Sequence, residues 1–212
     1  MAKGIVVRKP AVGSGSTMGK ISVTDGGGSA DPTSPPMEIG STFEFRNPVT
    51  ANGEDVNVGN LVEFETDANG ETVVLSVLDK GTVITNSNEK VDVAAGTNVL
   101  INGTVDGKVT VNGGTLVVAD GSKILSKIES AVANSTVVVS GSNVAAKIDF
   151  SAASSLSVQN CTIEGKVTSD GSLYTTIRNC VIEGSLDVIN TNECHCSGNT
   201  VEGKTNTPNN KP

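Results

Sequence analysis

The residues best suited to chemistry in this chain of 212 residues form the sequence Glu193-Cys194-His195-Cys196. Thiolate sulfur and imidazole nitrogen are ligands by which proteins hold zinc. On an extended strand, however, successive side chains point to opposite faces, so the two thiols would share one face and the imidazole would lie on the other. We therefore predict that Cys194 and Cys196 are core side chains. A metal site made of Cys194, His195 and Cys196 is kept as the alternative.

The rest of the chain offers no group of residues that suggests catalysis. It contains a single histidine, so an imidazole-based triad or a centre with several histidines cannot form within one chain. The start of the sequence has no apolar run that resembles a signal peptide, so we expect synthesis in a bacterial cytoplasm and free thiols at all four cysteines. We predict no catalytic residues and no cofactor, with carboxylate pairs on outer faces leaving an enzyme as an alternative.

Composition bears on the partners that we expect. The net charge is −8, and aromatic residues make up only 2% of the chain. A negative protein is not attracted to nucleic acids or to anionic membranes, which are themselves negative. The expected partners are therefore other proteins, including further copies of this chain, rather than nucleic acid or a membrane.

An internal repeat indicates which elements would position these residues. A short motif, in which Lys usually precedes an aliphatic or β-branched residue, recurs at a nearly constant interval of about 19 residues. Near-constant spacing of this kind is the signature of a repeat architecture. The copies are Glu89-Lys90-Val91, Gly107-Lys108-Val109, Ser126-Lys127-Ile128, Ala146-Lys147-Ile148, Gly165-Lys166-Val167, Gly184-Ser185-Leu186 and Gly203-Lys204-Thr205.

Each repeat contains three short runs of alternating side chains, separated by small or polar residues. This pattern predicts an all-β, three-sided β-helix (a solenoid) wound from a single chain, with coils of about 19 residues that stack about 4.8 Å apart. Superposing the copies predicts two inward ladders of apolar side chains. One consists of Val109, Ile128, Ile148, Val167 and Leu186, and the other of Ile124, Val144, Ile163, Ile182 and Val201.

Polar and sulfur-containing residues repeat with the same period. Asn160 and Asn179 occupy equivalent corners, each followed by a cysteine, and Asn199 lies beside the cysteines one coil later. We predict that Cys161 and Cys180 pack as small apolar side chains. Outward lysines should form a stripe whose charge is compensated by acids across the same corner, and a stripe that binds anions or glycans is the alternative. The lysines are Lys108, Lys127, Lys147 and Lys166, and the acids are Asp106, Glu164, Glu183 and Glu202.

The first part of the chain lacks this period and predicts a separate domain over residues 1–82. Its five β-like segments predict a small barrel. The segment GNLVEFETDANGETVVLSVL, Gly59 to Leu78, resembles the last two strands of a cold-shock domain, and KGIVV resembles the first strand. The resemblance implies an OB-like barrel, and it implies a nucleic-acid-binding alternative in which Phe43 and Phe45 stack on bases. The position of the family's first RNA-binding motif, residues 18–23, holds no aromatic residue.

The β-helix is predicted over residues 83–203, followed by a polar tail over 204–212, and residues 24–38 are predicted to be a flexible arm loop. The valine-rich coil resembles bactofilins, cytoskeletal proteins that polymerise end to end through open coil edges. A barrel followed by a β-helix resembles, in architecture alone, the spikes and decoration proteins of phages and contractile injection particles. A discrete rod must cover its coil edges, and here the barrel precedes the first coil and the tail follows the last.

We therefore expect a non-catalytic fibre, spike or capsid-decoration protein of a virion or phage-like particle. The N-terminal domain would attach to the other proteins of the particle, and the β-helix would project. A bactofilin-like polymerising scaffold and a cold-shock-like nucleic-acid-binding protein are the alternatives. The residues expected to make the attachment are Lys3, Arg8, Lys9, Pro32, Pro35 and Pro36.

Overall fold

A computed structural model describes residues 1–10, 18–26, 37–67, 69–152, 155–208 and 210. The chain is all-β and divides into two compact units, one of residues Met1–Val83 and one that begins at Ile84. Among the described residues, no helix is long and apolar enough to cross a membrane.

The first unit is a closed five-stranded barrel, as the alternating segments predicted. Its strands pair in the order β1-β2-β3-β5-β4, and β3 and β5 are the parallel pair. The inward side chains, among them Val6, Ile21 and Phe64, are fully buried in one apolar core. The strands are β1 (Ala2–Arg8), β2 (Gly19–Asp25), β3 (Thr42–Phe45), β4 (Leu61–Thr66) and β5 (Thr72–Asp79).

The structure changes the start of the predicted arm loop. Thr24 and Asp25 belong to β2, where Asp25 pairs with Lys3. The backbone N–H of Met37 donates a hydrogen bond to the carbonyl of Gly26 over 3.2 Å, so the two sides of the loop meet at its base. Residues 27–36, which include Pro32, Pro35 and Pro36, lie outside the described residues.

The strands that follow form the solenoid, in which equivalent positions of successive coils are about 19 residues apart. They are β6 (Thr82–Ser87), β7 (Val91–Ala94), β8 (Asn98–Val105), β9 (Val109–Asn112), β10 (Thr115–Val118), β11 (Lys123–Ile124), β12 (Ile128–Ser130), β13 (Thr136–Ser140), β14 (Asn143–Val144), β15 (Ile148–Ser151), β16 (Ser155–Gln159), β17 (Thr162–Ile163), β18 (Val167–Asp170), β19 (Tyr174–Arg178), β20 (Val181–Ile182), β21 (Leu186–Ile189), β22 (Glu193–Ser197), β23 (Thr200–Val201) and β24 (Thr205–Asn206).

These strands lie in three stacks, one for each side of the coil. The first stack contains β6, the end of β8, β11, β14, β17, β20 and β23. The second contains β7, β9, β12, β15, β18, β21 and β24, and the third the start of β8, β10, β13, β16, β19 and β22. Because β8 continues from the third stack into the first, those two stacks form one sheet.

Both predicted ladders are confirmed by the strand register. Ile128, Ile148, Val167 and Leu186 pair in succession along the second stack, as Ile124, Val144, Ile163 and Ile182 do along the first. Parallel strands in register place the same residue type above and below each side chain, so every coil buries its apolar face against its neighbours. The predicted fold class, a small barrel followed by a β-solenoid, is therefore confirmed.

One aromatic ring interrupts the aliphatic core of the solenoid. Phe150 is fully buried, and its register neighbours in the adjacent coils are Ser130 and Ser169. These small residues leave room for the ring, and their hydroxyl groups are satisfied within their own coils. Ser169 lies 2.7 Å from the hydroxyl of Thr175, and Ser130 lies 2.9 Å from that of Ser135.

The corners also repeat. Asn160 and Asn179 have φ values of 56° and 53°, in the left-handed region that Asn and Gly tolerate best. Their side chains stack as predicted, with the Asn179 amide 3.5 Å from the Asn160 carbonyl oxygen. Asn199 takes the position of the cysteines instead, where its Oδ1 accepts a hydrogen bond from the Cys180 N–H over 3.0 Å.

Candidate functional site

The last strand of the third stack, β22, carries the most specific arrangement of polar groups in the solenoid. One side of β22 pairs with β19, and Asn210 lies against the other side in a parallel bridge to Cys194. Asn210 Oδ1 accepts a hydrogen bond from the Cys196 N–H over 2.6 Å, and Asn210 Nδ2 donates one to the Cys196 carbonyl over 2.9 Å. One side chain thus satisfies both backbone groups of Cys196 as a neighbouring strand would. We call this contact the Asn210 cap.

The two thiols of β22 face the solenoid interior, as the strand alternation predicted. Cys194 pairs with Thr175 and Cys196 with Ile177, and the two Sγ atoms lie 3.3 Å apart. His195 occupies the alternate position, where its Nε2 lies 3.2 Å from Glu193 Oε1. The structure thus separates the imidazole from the thiols, and no group of three metal-ligating side chains with the geometry to hold an ion occurs among the described residues.

Burial governs the acidity of these thiols. It raises the pKa of Cys194, and burial together with the adjacent Cys194 thiol raises the pKa of Cys196. At Cys161 the hydrogen bond with Cys180 and burial both raise the pKa. The Cys161 and Cys180 Sγ atoms lie 3.1 and 3.2 Å from carbonyl oxygens two residues earlier. All four cysteines are free thiols in the structure.

The outer face of the second stack carries a regular series of ion pairs. Lys127 and Lys147 bind the acid two residues later, Glu129 and Asp149, at 2.5 and 2.6 Å. Lys108 and Lys166 have a threonine at that position, and each binds the acid of the next coil instead. These partners are Glu129 at 2.6 Å for Lys108, and Asp187 at 2.5 Å for Lys166.

These contacts correct the predicted charge compensation. Acids across the corner, such as Glu164 and Glu183, were expected to balance the lysine stripe. The acids that bind the lysines instead lie on the outer face of the second stack, either two residues after the lysine or on the strand of the next coil, because a lysine and the residue two positions later project from the same face. Glu129 accepts from both Lys108 and Lys127, and these two hydrogen bonds lower its pKa to about 2.

The predicted attachment residues of the barrel contact other parts of the barrel. Lys3 lies 3.4 Å from Asp25, and Lys9 donates to the side chain of Asn57 over 2.9 Å. Arg8 donates to the Met18 carbonyl over 2.8 Å and also contacts Glu44. The side chains of Lys3 and Arg8 remain about half exposed, at 46% and 45%. They therefore still present positive charge on the barrel surface.

The structure does not support base stacking by Phe45. Its side chain is 2% exposed and belongs to the barrel core, so neither face of the ring is free for a base. Phe43 is half-buried and packs against the ring of Phe64, with centroids 5.6 Å apart. Residues two apart on a strand share a face, which explains why both rings of β3 point inward.

A cavity of about 300 Å³ opens on the barrel beside the residue pair that joins β3 to β5, Phe45 and Thr72. Its lining includes apolar side chains such as Val74, and Arg46 and Glu71 supply charges of both signs. It is a recess of the size of a few side chains, and it lies on the unit to which attachment was assigned.

Sequence reasoning missed two of these features. Three acids of the second stack follow a lysine at a distance of two residues, in KVDV, KIES and KIDF, and this signal was visible in the repeat. Asn210 carried no signal, because its contact with Cys196 depends on how the chain after β24 returns to β22.

Comparison with known proteins does not extend these observations. No protein-family model matches the chain, and no curated protein or solved structure matches it. The strand topology shows the barrel and the solenoid, while the resemblances to cold-shock domains, bactofilins and phage spikes remain predictions.

Proposed function

We propose that the protein is a non-catalytic structural component of a large assembly, a phage or phage-like particle, in which the barrel attaches and the solenoid projects. The observation that carries this proposal is the Asn210 cap. An open edge of parallel strands invites pairing with another chain, and end-to-end polymerisation requires such edges. A side chain that occupies the backbone groups of Cys196 opposes this pairing and favours a discrete rod over a filament.

The division of chemistry between the two units supports the orientation. The solenoid interior is filled with Val, Ile and Leu side chains, and on the second stack the outer lysines are paired with acids. Such a surface suits a stiff projection. The barrel carries half-exposed basic residues and the cavity beside β3 and β5, and residues 27–36 belong to the same unit of the chain. This non-repeating surface suits a specific contact.

The discrete rod and the polymerising filament differ in the association state that they predict for the chain in solution. We expect the full chain to remain discrete by light scattering and to form no filaments under the electron microscope. A chain that ends at Pro208 keeps β24 but loses the cap, and it should associate. Asn206→Ala is the matched control, because Asn206 is an exposed residue of the same segment outside the cap. Filaments of the full chain would instead favour the bactofilin-like scaffold.

Attachment is tested by replacing residues 27–36 with a two-residue Gly-Ser turn. The Gly26–Met37 hydrogen bond already closes the base of this loop, so the barrel should keep its fold and its β-rich circular dichroism spectrum. We expect the variant to be lost from particles purified from the source bacterium on a density gradient, while the unaltered chain sediments with them. If a chain that begins at Ile84 sediments with the particles as well as the full chain does, the proposed orientation is wrong.

A further inference from the structure

Cys194 and Cys196 lie on β22, the edge strand of its stack, where a bond between the two sulfur atoms would change the shape of the sheet edge. Their Sγ atoms are 3.3 Å apart on one face of β22, the last strand of its stack. Cys194 is buried and Cys196 is half-buried, so Cys196 is the more accessible of the two residues. Asn210 binds both backbone groups of Cys196, and its Oδ1 lies 3.9 Å from Cys194 Sγ.

A disulfide between these residues is geometrically possible only if the strand changes shape. Residues two apart on an extended strand project their side chains in parallel, so their Cβ atoms are about 6.6 Å apart, whereas a disulfide spans about 3.5–4.5 Å between Cβ atoms. Bringing the sulfur atoms from 3.3 Å to bonding distance must therefore shorten or bend β22. An edge strand can bend, because it has a paired strand on one side only.

We propose that Cys194 and Cys196 form a redox-sensitive modification site, in which closing their disulfide bends β22 and releases the Asn210 cap. Bending around His195 moves the Cys196 N–H and carbonyl away from the two side-chain atoms that bind them. Release of Asn210 then exposes the edge of β22 to pairing with a second copy. The proposal rests on the geometry of β22 and is independent of the particle role.

The oxidant is a small exogenous disulfide, such as oxidised glutathione. The Cys196 thiolate attacks this disulfide, forming a mixed disulfide and expelling one thiolate, which takes up the proton lost by Cys196. The Cys194 thiolate then attacks the Cys196 sulfur and expels the second small thiol, which takes up the remaining proton. The protein loses two protons and two electrons, and the reagent is reduced to two thiols.

The first test is the mass of the oxidised full chain. The full chain is incubated with oxidised glutathione, and the remaining thiols are alkylated in denaturant. The wild type should then carry two alkyl groups instead of four and, apart from these groups, weigh two hydrogen atoms less than the reduced chain. Peptide mapping should place the link between Cys194 and Cys196. The Cys194→Ser and Cys196→Ser variants should form no internal link. Cys161→Ser is the matched control, because it removes a buried thiol away from β22 and should leave the link intact.

The second test is association. The oxidised wild type should increase in mass by light scattering, as Asn210→Ala should without oxidant, and reduction should reverse the change in the wild type alone. A link between Cys161 and Cys180, or no link at all, overturns the modification site. A Cys194–Cys196 link that leaves the light-scattering mass unchanged overturns the release of the cap.

Discussion

The barrel and the solenoid are both all-β, but they specify their structures in different ways. In the barrel the contacts do not repeat: Arg8 reaches Met18 and Glu44, Lys9 reaches Asn57, and β3 joins β5 at its last residue. In the solenoid most contacts recur, so Ile148 touches residues of its own kind above and below.

This difference has a physical consequence for both stability and function. A repeated contact distributes stability over neighbouring coils, and the rod is then strongest in its middle and weakest at its ends. A contact that occurs only once can distinguish one partner from another, but no second copy of it compensates when it is lost. This difference is the reason why the proposed function gives the projecting role to the solenoid and the attachment to the barrel.

The largest effect should come from a charge in the middle of the solenoid. Ile148→Asp places an unpaired carboxylate between buried aliphatic side chains, and we expect it to prevent folding of the solenoid, at a cost of several kcal/mol. Thermal unfolding by circular dichroism measures this loss. Val201→Asp places the same charge at a half-buried position in the last coil, and it should lower the free energy of unfolding much less.

Limited proteolysis of Ile148→Asp sharpens the comparison between the two units. Protease should digest the solenoid and leave a resistant fragment that ends near Val83. Loss of both units together would contradict their description as separately stabilised structures.

A smaller effect is expected at the corners. Ala152 has a φ of 54°, whereas the equivalent residue of the next coil is Gly171, with a φ of 71°. Ala152→Gly should stabilise the solenoid by about 0.5–1 kcal/mol, because it removes left-handed strain from a residue with a Cβ. Gly171→Ala should destabilise it by a similar amount, since its added Cβ meets no atom closer than 3.8 Å and the change is one of backbone strain. Equal unfolding temperatures for the two variants would contradict this interpretation.

The smallest effect concerns the charged face of the second stack. The pKa of Glu129 is lowered from 4.5 to about 2, so its ion pairs stabilise the folded state above its unfolded pKa, and this contribution is lost as the pH falls from about 4.5 to about 2. For a partly exposed group the contribution should be about 1 kcal/mol or less. Unfolding temperatures measured across this range should fall less steeply for Glu129→Gln. Lys108→Met and Lys127→Met should each retain part of this change of unfolding temperature with pH. If the unfolding temperature of Glu129→Gln falls as steeply as that of the wild type, the pH dependence does not come from the ion pairs of Glu129.

The sequence by itself determined the solenoid and its interior. The regular spacing of the repeat, with alternation inside each copy, was sufficient to place Ile128, Ile148 and Val167 in one buried ladder. This was possible because each coil contacts its neighbours at a fixed separation along the chain. Cys194 and Cys196 were placed on one face because side chains alternate along a strand.

Only the tertiary structure decided the features without a repeat. Phe45 is a core residue because closure of the barrel brings β5 against β3, two strands that β4 separates in the sequence and that meet at Phe45 and Thr72. Asn210 caps Cys196 because the chain after β24 returns to the edge of β22. Alternation along a strand fixes which residues share a face, but whether that face is covered depends on segments distant in the sequence. Local periodicity carries no information on how those segments return.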